Sequence, residues 1–179
     1  VKLMRERGYA AMTMRDLAGA VGIRAPSLYK HFDSKQALLT SILLEMCHAM
    51  GEGLDLALSG VDPDPLARLD AFVQFHVAFH IEHRDKTFVC FNEYRSLEHA
   101  NQRAFVKLRD AYQARVEAIV AAGRHAGVFH TPDIKVTTYS LLAMLTDIHR
   151  WYRESGPKAR DVLIGHYVLL ARSLLGAPD

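Results

Sequence analysis

Gly22 is the residue that most restricts what this chain can become. It lies in Val21-Gly22-Ile23, between two short runs with helical apolar spacing, about Met14–Ala20 and Ala25–Phe32. Two helices this short, joined by a glycine turn, match the helix-turn-helix plan. Thr13 precedes the first run and Asp16 follows three residues later, a variant of the capping box. Pro26 falls in the first turn of the second run, where its missing N–H costs little. Leu17, Ala18, Val21, Ile23, Leu28 and Phe32 are expected to form a miniature core, with the small Ala18 letting the two helices approach closely.

The rest of the chain reads as helix as well. Strand-like alternation is absent, and Ala and Leu abound. The expected fold is all-α with about nine helices. Asp33-Ser34 ends the third helix and caps a fourth, from Lys35 into the fifties. The breaker Ser59-Gly60-Val61-Asp62-Pro63-Asp64-Pro65 separates that helix from a fifth at about 66–82. A sixth is expected at 86–94, a seventh at 101–122, an eighth at 133–153 and a ninth at 159–175. Residues 1–44 form the expected helix-turn-helix domain and 45–179 a larger helical domain.

With 179 residues, half of them hydrophobic, the chain can bury a sizeable core. No apolar run is long enough to span a bilayer, so no membrane role is expected. Cys47 and Cys90 lie in apolar helical contexts without a CxxC pair, as expected of reduced thiols in a cytoplasmic protein. The chain begins at Val1 and not at Met, so further residues are expected ahead of it. Net charge is only +2, but residues 1–35 hold seven Lys/Arg and three acids. That cationic end, set against a slightly anionic remainder, suits a polyanion.

The second short helix carries Arg24, Ser27 and Lys30 where they can reach base edges or phosphates in a major groove. Tyr29 and His31 can hydrogen-bond phosphate oxygens. Lys35 sits at a helix start, where the dipole and amides favour an anion. Thr13 and Arg15 can clamp the same backbone from the other side. The competing reading is a basic, solvated hairpin with incidental aromatics.

The stretch GYAAMTMRDLAGAVGIRAPSLYKHFDSKQALL, residues 8–39, resembles the DNA-binding region of the TetR (tetracycline-repressor-like) family of bacterial regulators. The resemblance rests on Gly8-Tyr9, Thr13-Met14-Arg15-Asp16-Leu17-Ala18, Gly22, Leu28-Tyr29, His31-Phe32, Ser34-Lys35 and Leu38-Leu39. It implies phosphate contacts from Thr13, Tyr29, His31 and Lys35, and operator-dependent contacts from positions 24, 25, 27 and 30, that is Arg24, Ala25, Ser27 and Lys30. Arg24 stands where many members have Ser. This weakens the expected side-chain cap but adds a donor suited to guanine. The resemblance also implies a homodimer that binds double-stranded operator DNA and pairs through the last two helices. Val162, Leu163, Tyr167, Leu170 and Leu174 would supply the pairing face, with Leu141, Leu142 and Leu145.

In such regulators the larger domain encloses an effector. Phe72, Phe75, His76 and Phe79 project from one side of the fifth helix. Phe88, Phe91, Tyr94, Tyr112, Met144, Ile148 and Trp151 are expected to complete an apolar wall, and Arg109 is a candidate polar group. FNEYRSL (91–97), LRDAY (108–112), GRHAGVF (123–129) and HRWYRESGP (149–157) resemble the TetR-type regulators tied to fatty-acid or sterol catabolism, which sense acyl-CoA thioesters. A small lipophilic effector is therefore expected, an acyl-CoA or, as rival, a drug or flavonoid. The expected role is a repressor released from its operator by that effector. No GxSxG, Walker or HExxH motif is present, so neither an enzyme nor a cofactor is expected. The remaining alternative is a helical metal-binding domain on His76 and His80, or a protein-interaction domain without DNA binding.

Overall fold

A computed structural model describes residues 1–178 of the chain. Among these residues every regular element is helical: α1 (Lys2–Arg7), α2 (Met14–Ala20), α3 (Ala25–Tyr29), α4 (Lys35–Leu58), α5 (Pro65–Glu82), α6 (Arg84–Glu93), a 3₁₀ turn (Tyr94–Ser96), α7 (His99–His125), α8 (Ile134–Thr146), α9 (Ile148–Trp151) and α10 (Arg160–Leu174). None is long and apolar enough to cross a membrane.

The all-α expectation holds, with a correction to the eighth helix. The eighth helix expected to run unbroken to Arg153 breaks at Asp147, so α8 and α9 are separate. The cause is local. The carbonyl of Thr146 accepts a hydrogen bond from the ring Nδ1 of His149 at 2.7 Å. The Arg150 N–H, which would otherwise use that carbonyl, turns back to Asp147 O at 3.0 Å. A side chain inserted into the i→i−4 ladder bends a helix.

The residues gather into two compact units. The first joins Val1–His48 with Arg84–Arg109, so α6 and the start of α7 belong with the N-terminal helices and not with the larger domain. Its core holds Met4, Met12, Leu17, Leu28, Leu39, Leu43, Val89 and Phe105. Glu93 on α6 accepts the Tyr9 N–H at 3.0 Å and the Ser96 hydroxyl at 3.1 Å. Gln36 on α4 donates to the Ser96 carbonyl at 2.5 Å.

The second unit joins Ala49–His83 with the residues from Asp110 onward. Asp64 caps α5 by accepting the Ala67 N–H at 2.8 Å. The buried positions of α5 include Leu69, Phe72, Val73, His76 and Val77, the i, i+3, i+4 rhythm of one helix face. Full burial of each such apolar side chain contributes roughly 1.5–3 kcal/mol. That face meets α10, α8 and α9. Arg172 of α10 grips Asp70 of α5 with two hydrogen bonds, Nε to Oδ1 at 3.0 Å and Nη2 to Oδ2. At the end of α7, Gly127 takes φ +73°. The N–H of Gly127 bonds Arg124 O and that of Val128 bonds Gly123 O, a Schellman closure. The chain then turns Phe129 back onto Gly123, where an added Cβ would stand 2.0 Å from the ring.

Candidate nucleic-acid interface and effector core

The helix pair forms as its local sequence dictates. The Thr13 hydroxyl accepts the Asp16 N–H at 3.1 Å, and the Asp16 carboxylate accepts the Thr13 N–H at 2.8 Å. It also accepts the Thr13 hydroxyl proton at 2.6 Å. Those bonds, the hydroxyl first, hold the Asp16 carboxyl below its usual range. Gly22 takes φ +71°, its N–H bonds Gly19 O, and the Ile23 N–H bonds Ala18 O at 3.0 Å. This is the same Schellman geometry as at Gly127. Val21 and Ile23, expected in the miniature core, are instead 66% and 41% exposed. They occupy the turn itself, beyond the last helical residue, so their side chains leave the packed face. Leu17, Ala18 and Leu28 remain buried.

The α3 helix is shorter than expected, ending at Tyr29. One further turn is held by His31 N–H and Phe32 N–H, both bonded to Leu28 O. Leu28 therefore faces inward while Arg24, Ser27, Tyr29, Lys30 and His31 are exposed. Thr13 and Arg15 are exposed as well, and Ala25 is half-buried. Eight residues named from sequence for nucleic-acid contact thus lie on the accessible surface of this helix pair or beside it.

Lys35 is placed differently. Its ammonium donates to Tyr9 O at 3.0 Å, Ala10 O at 3.4 Å and Met12 O at 3.0 Å, and lies 4.3 Å from the Tyr9 ring centre. An ammonium has three donors, and all three are engaged by the turn that leads into α2. Ser34 caps α4 by accepting the Ala37 N–H at 3.0 Å. Sequence reasoning missed this second role for Lys35, since its partners lie 23–26 residues away.

In the second unit the residues proposed to surround an effector converge only in part. Phe72, Tyr112 and Ile148 share one buried core, with His76 against Phe72 and Tyr112; Phe75 and Met144 pack at its edge, and Phe79 is buried beside His80. Phe88, Phe91, Tyr94 and Arg109 belong to the first unit. There Phe91 is 57% exposed, Tyr94 stacks on Phe105 at 5.8 Å, and the Arg5 guanidinium lies 5.7 Å from the Phe88 ring centre. Trp151 is 52% exposed and does not line the buried interior.

At the centre of the second unit is a polar trio. His76 Nδ1 lies 2.8 Å from the Tyr112 hydroxyl, and Nε2 lies 2.9 Å from the Thr146 hydroxyl. Burial lowers the His76 pKa from 6.5 to about 3, so its imidazole is neutral. The His80 ring, 4.5 Å away, is shifted the same way, by burial first and then by the neighbouring histidines. Both nitrogens of His76 are spent on hydroxyls, which leaves it no lone pair for a metal. Among the described residues, no cluster of His, Cys, Asp or Glu forms a metal site.

The trio makes stability dependent on pH. Above pH 6.5 His76 is neutral whether the chain is folded or not; below it, only the unfolded chain takes up the proton, until the folded pKa of about 3 is reached. Stability is therefore lost as pH falls through that window. Between about pH 7.5 and pH 5, His76 alone should lower it by about 2 kcal/mol. Urea unfolding at the two pH values measures this, and His76→Gln should flatten the dependence. An unchanged slope in that variant would contradict the assignment.

The description "Bacterial regulatory proteins, tetR family" matches residues 1–42, and "Tetracyclin repressor-like, C-terminal domain" matches residues 62–175. The HTH-type transcriptional repressor KstR2 of Mycolicibacterium smegmatis is 30% identical over 94% of this chain and 82% of its own length. A bacterial regulatory protein of the tetR family from Rhodococcus RHA1 superposes with a TM-score of 0.89 at 27% identity, covering 99% of this chain and 93% of that one. AibR in complex with isovaleryl coenzyme A and operator DNA shares the fold, with a TM-score of 0.85 at 20% identity over 99% of this chain and 94% of its own. With the helix pair, its capping box and the second helical unit, these matches identify a DNA-binding transcriptional regulator: the chain belongs to the tetR family of bacterial regulatory proteins.

Proposed function

We propose that this regulator is a repressor that binds its operator as a homodimer and is released by a small lipophilic effector. The observation that carries the DNA side is the exposed comb of Arg24, Ser27, Tyr29, Lys30 and His31 around the buried Leu28. On this reading α3 enters the major groove. Arg24, Ser27 and Lys30 meet bases or phosphates there, with Ala25 against a base edge, while Arg15, Tyr29 and His31 hold phosphates. Thr13 and Lys35 set the frame, because their side chains are already bonded within the chain.

Pairing falls to α10 and α8. Val162, Leu169, Leu170 and Leu174 leave an exposed apolar strip on α10, and Val136 and Tyr139 are exposed on α8. Leu163, Tyr167, Leu141 and Leu145, expected on that face, are buried in the chain's own core instead. Val162, Leu170 and Leu174 of the face first read stay on the proposed interface, and Leu169 joins them. Leu170→Glu should convert a dimer to a monomer in sedimentation and abolish footprinting; an intact dimer would refute this face.

The effector reading is supported by the Tyr112–His76–Thr146 trio, a few placed polar groups in an apolar interior. AibR, solved with isovaleryl coenzyme A, makes an acyl-CoA thioester the first chemistry to test. A bound effector must favour one dimer geometry over another. The two α3 helices have to sit about 34–36 Å apart, or a multiple, to share one face of DNA. Because α4 contributes residues to both units, its shift is the proposed lever. Gel-shift titration with thioesters of graded chain length tests this, alongside mass spectrometry of small molecules released from the native protein. If no bound compound alters operator affinity, the effector reading fails while the DNA reading stands.

A further inference from the structure

A cleft of about 590 Å³ opens between the end of α4, the start of α5 and α7 in the second unit. It shares no lining residue with the His76 trio and does not depend on the effector proposed above. Its size lies within the range of small-molecule sites. Its lining mixes apolar groups, Leu58, Ile119 and the alanines of α7, with Asp55, Arg68, Arg115 and Ser59.

The charges in this cleft do not balance. Arg115 is engaged twice, in an ion pair with Asp55 and by donating to Gly51 O at 3.0 Å. Arg68 is half-buried on the first turn of α5, and among the described residues no acid is paired with it. The two carboxylates nearest to it in sequence are both occupied, Asp70 by the Arg172 guanidinium and Asp64 as the cap of α5, accepting the Ala67 N–H at 2.8 Å. An excess cation therefore shares the cleft with Leu58 and Ile119, close to the positive end of an eighteen-residue helix. A guanidinium fork binds carboxylate in bidentate fashion.

We propose that this cleft binds an amphipathic monocarboxylate, its head on Arg68 and Ser59 and its tail along Leu58 and Ile119. Octanoate is the probe, titrated into the full chain with the alanine methyl groups labelled with carbon-13. The Ala118 and Ala122 methyl resonances should shift and saturate, and acetate, which lacks the tail, should leave them in place. Arg68→Ala should weaken binding by roughly tenfold to a hundredfold, the loss of a charge-assisted pair. Arg68→Lys should fall between the two, keeping the charge without the fork. Ala118→Trp fills the cleft from another side and should block binding equally, so the test does not rest on one variant folding well. Silent Ala118 and Ala122 methyls at millimolar octanoate would overturn the proposal. So would unchanged affinity in Arg68→Ala, or acetate binding as tightly as octanoate. Operator affinity measured on the same variants keeps this outcome separate from the repressor reading.

Discussion

Replacing Lys35 by Met lowers operator affinity by about tenfold or more while leaving the salt dependence of binding unchanged. The reason is the site its ammonium occupies. Three carbonyls of the turn before α2 share that charge, and the Tyr9 ring covers it. Hydrogen bonds to a charged group contribute roughly 1.5–3 kcal/mol each, and carbonyls left unpaired add a desolvation cost. Losing the ammonium loosens the turn that sets the angle of α2, so the helix pair meets DNA less well aligned. A residue that acts only on alignment takes no counterion's place. Lys30, exposed at the C-cap of α3, is the contrast. Lys30→Ala should weaken binding and also reduce the slope of log affinity against log salt by about 0.9. Fluorescence anisotropy across a salt series, with unfolding midpoints measured in parallel, separates the two. If Lys35→Met flattens the slope by a similar amount and leaves the midpoint unmoved, its ammonium meets a phosphate after all.

The largest effect on stability is expected at the closure of α7. Phe129 is 1% exposed, and its ring lies directly on Gly123. Phe129→Ala should cost about 3–5 kcal/mol, the usual range for an aromatic side chain removed from a core. Gly123→Ala should cost about 1–3 kcal/mol, because the ring has to move to admit a methyl group. The two changes are not independent. With the ring gone, alanine at 123 is freed of the three atoms nearest its methyl group and brings better helix propensity, worth up to about 1 kcal/mol. Gly123→Ala is therefore expected to be neutral or stabilising in the Phe129→Ala background. Chemical denaturation of the four proteins in a double-mutant cycle gives the coupling directly. Additive costs would show that the close approach of ring and backbone is not what requires glycine here.

Features decided by neighbours within a few residues were legible in the sequence. Thr13 with Asp16, Gly22 at positive φ, and Ser34 at the head of α4 all follow from spacing and side-chain chemistry. The exposed comb on α3 was legible too, because burying Leu28 leaves its neighbours outside. What escaped was set by distant partners. The break at Asp147 depends on His149 reaching the Thr146 carbonyl. Gly123 reads as punctuation, yet α7 continues through it to His125, and its use becomes visible only once Phe129 folds back. The apolar arc of α10 is broad, and periodicity alone could not tell which part of it the chain itself would cover. Aromatic content proved a poor guide to the effector core, since Phe91 and Trp151 are more than half exposed. His76 was singled out, but its hydroxyl partners come from α7 and α8, 36 and 70 residues away.

An uncharged imidazole offers one N–H and one lone pair, so Tyr112 and Thr146 cannot play the same part toward His76. Whichever of them receives the ring's hydrogen retains its own, directed elsewhere inside the helical interior. Exchanging tautomers passes that spare hydrogen from the phenol to the alcohol. The interior thus has two internal polarities with the same heavy-atom geometry, and a guest bearing a carbonyl beside either oxygen would select between them.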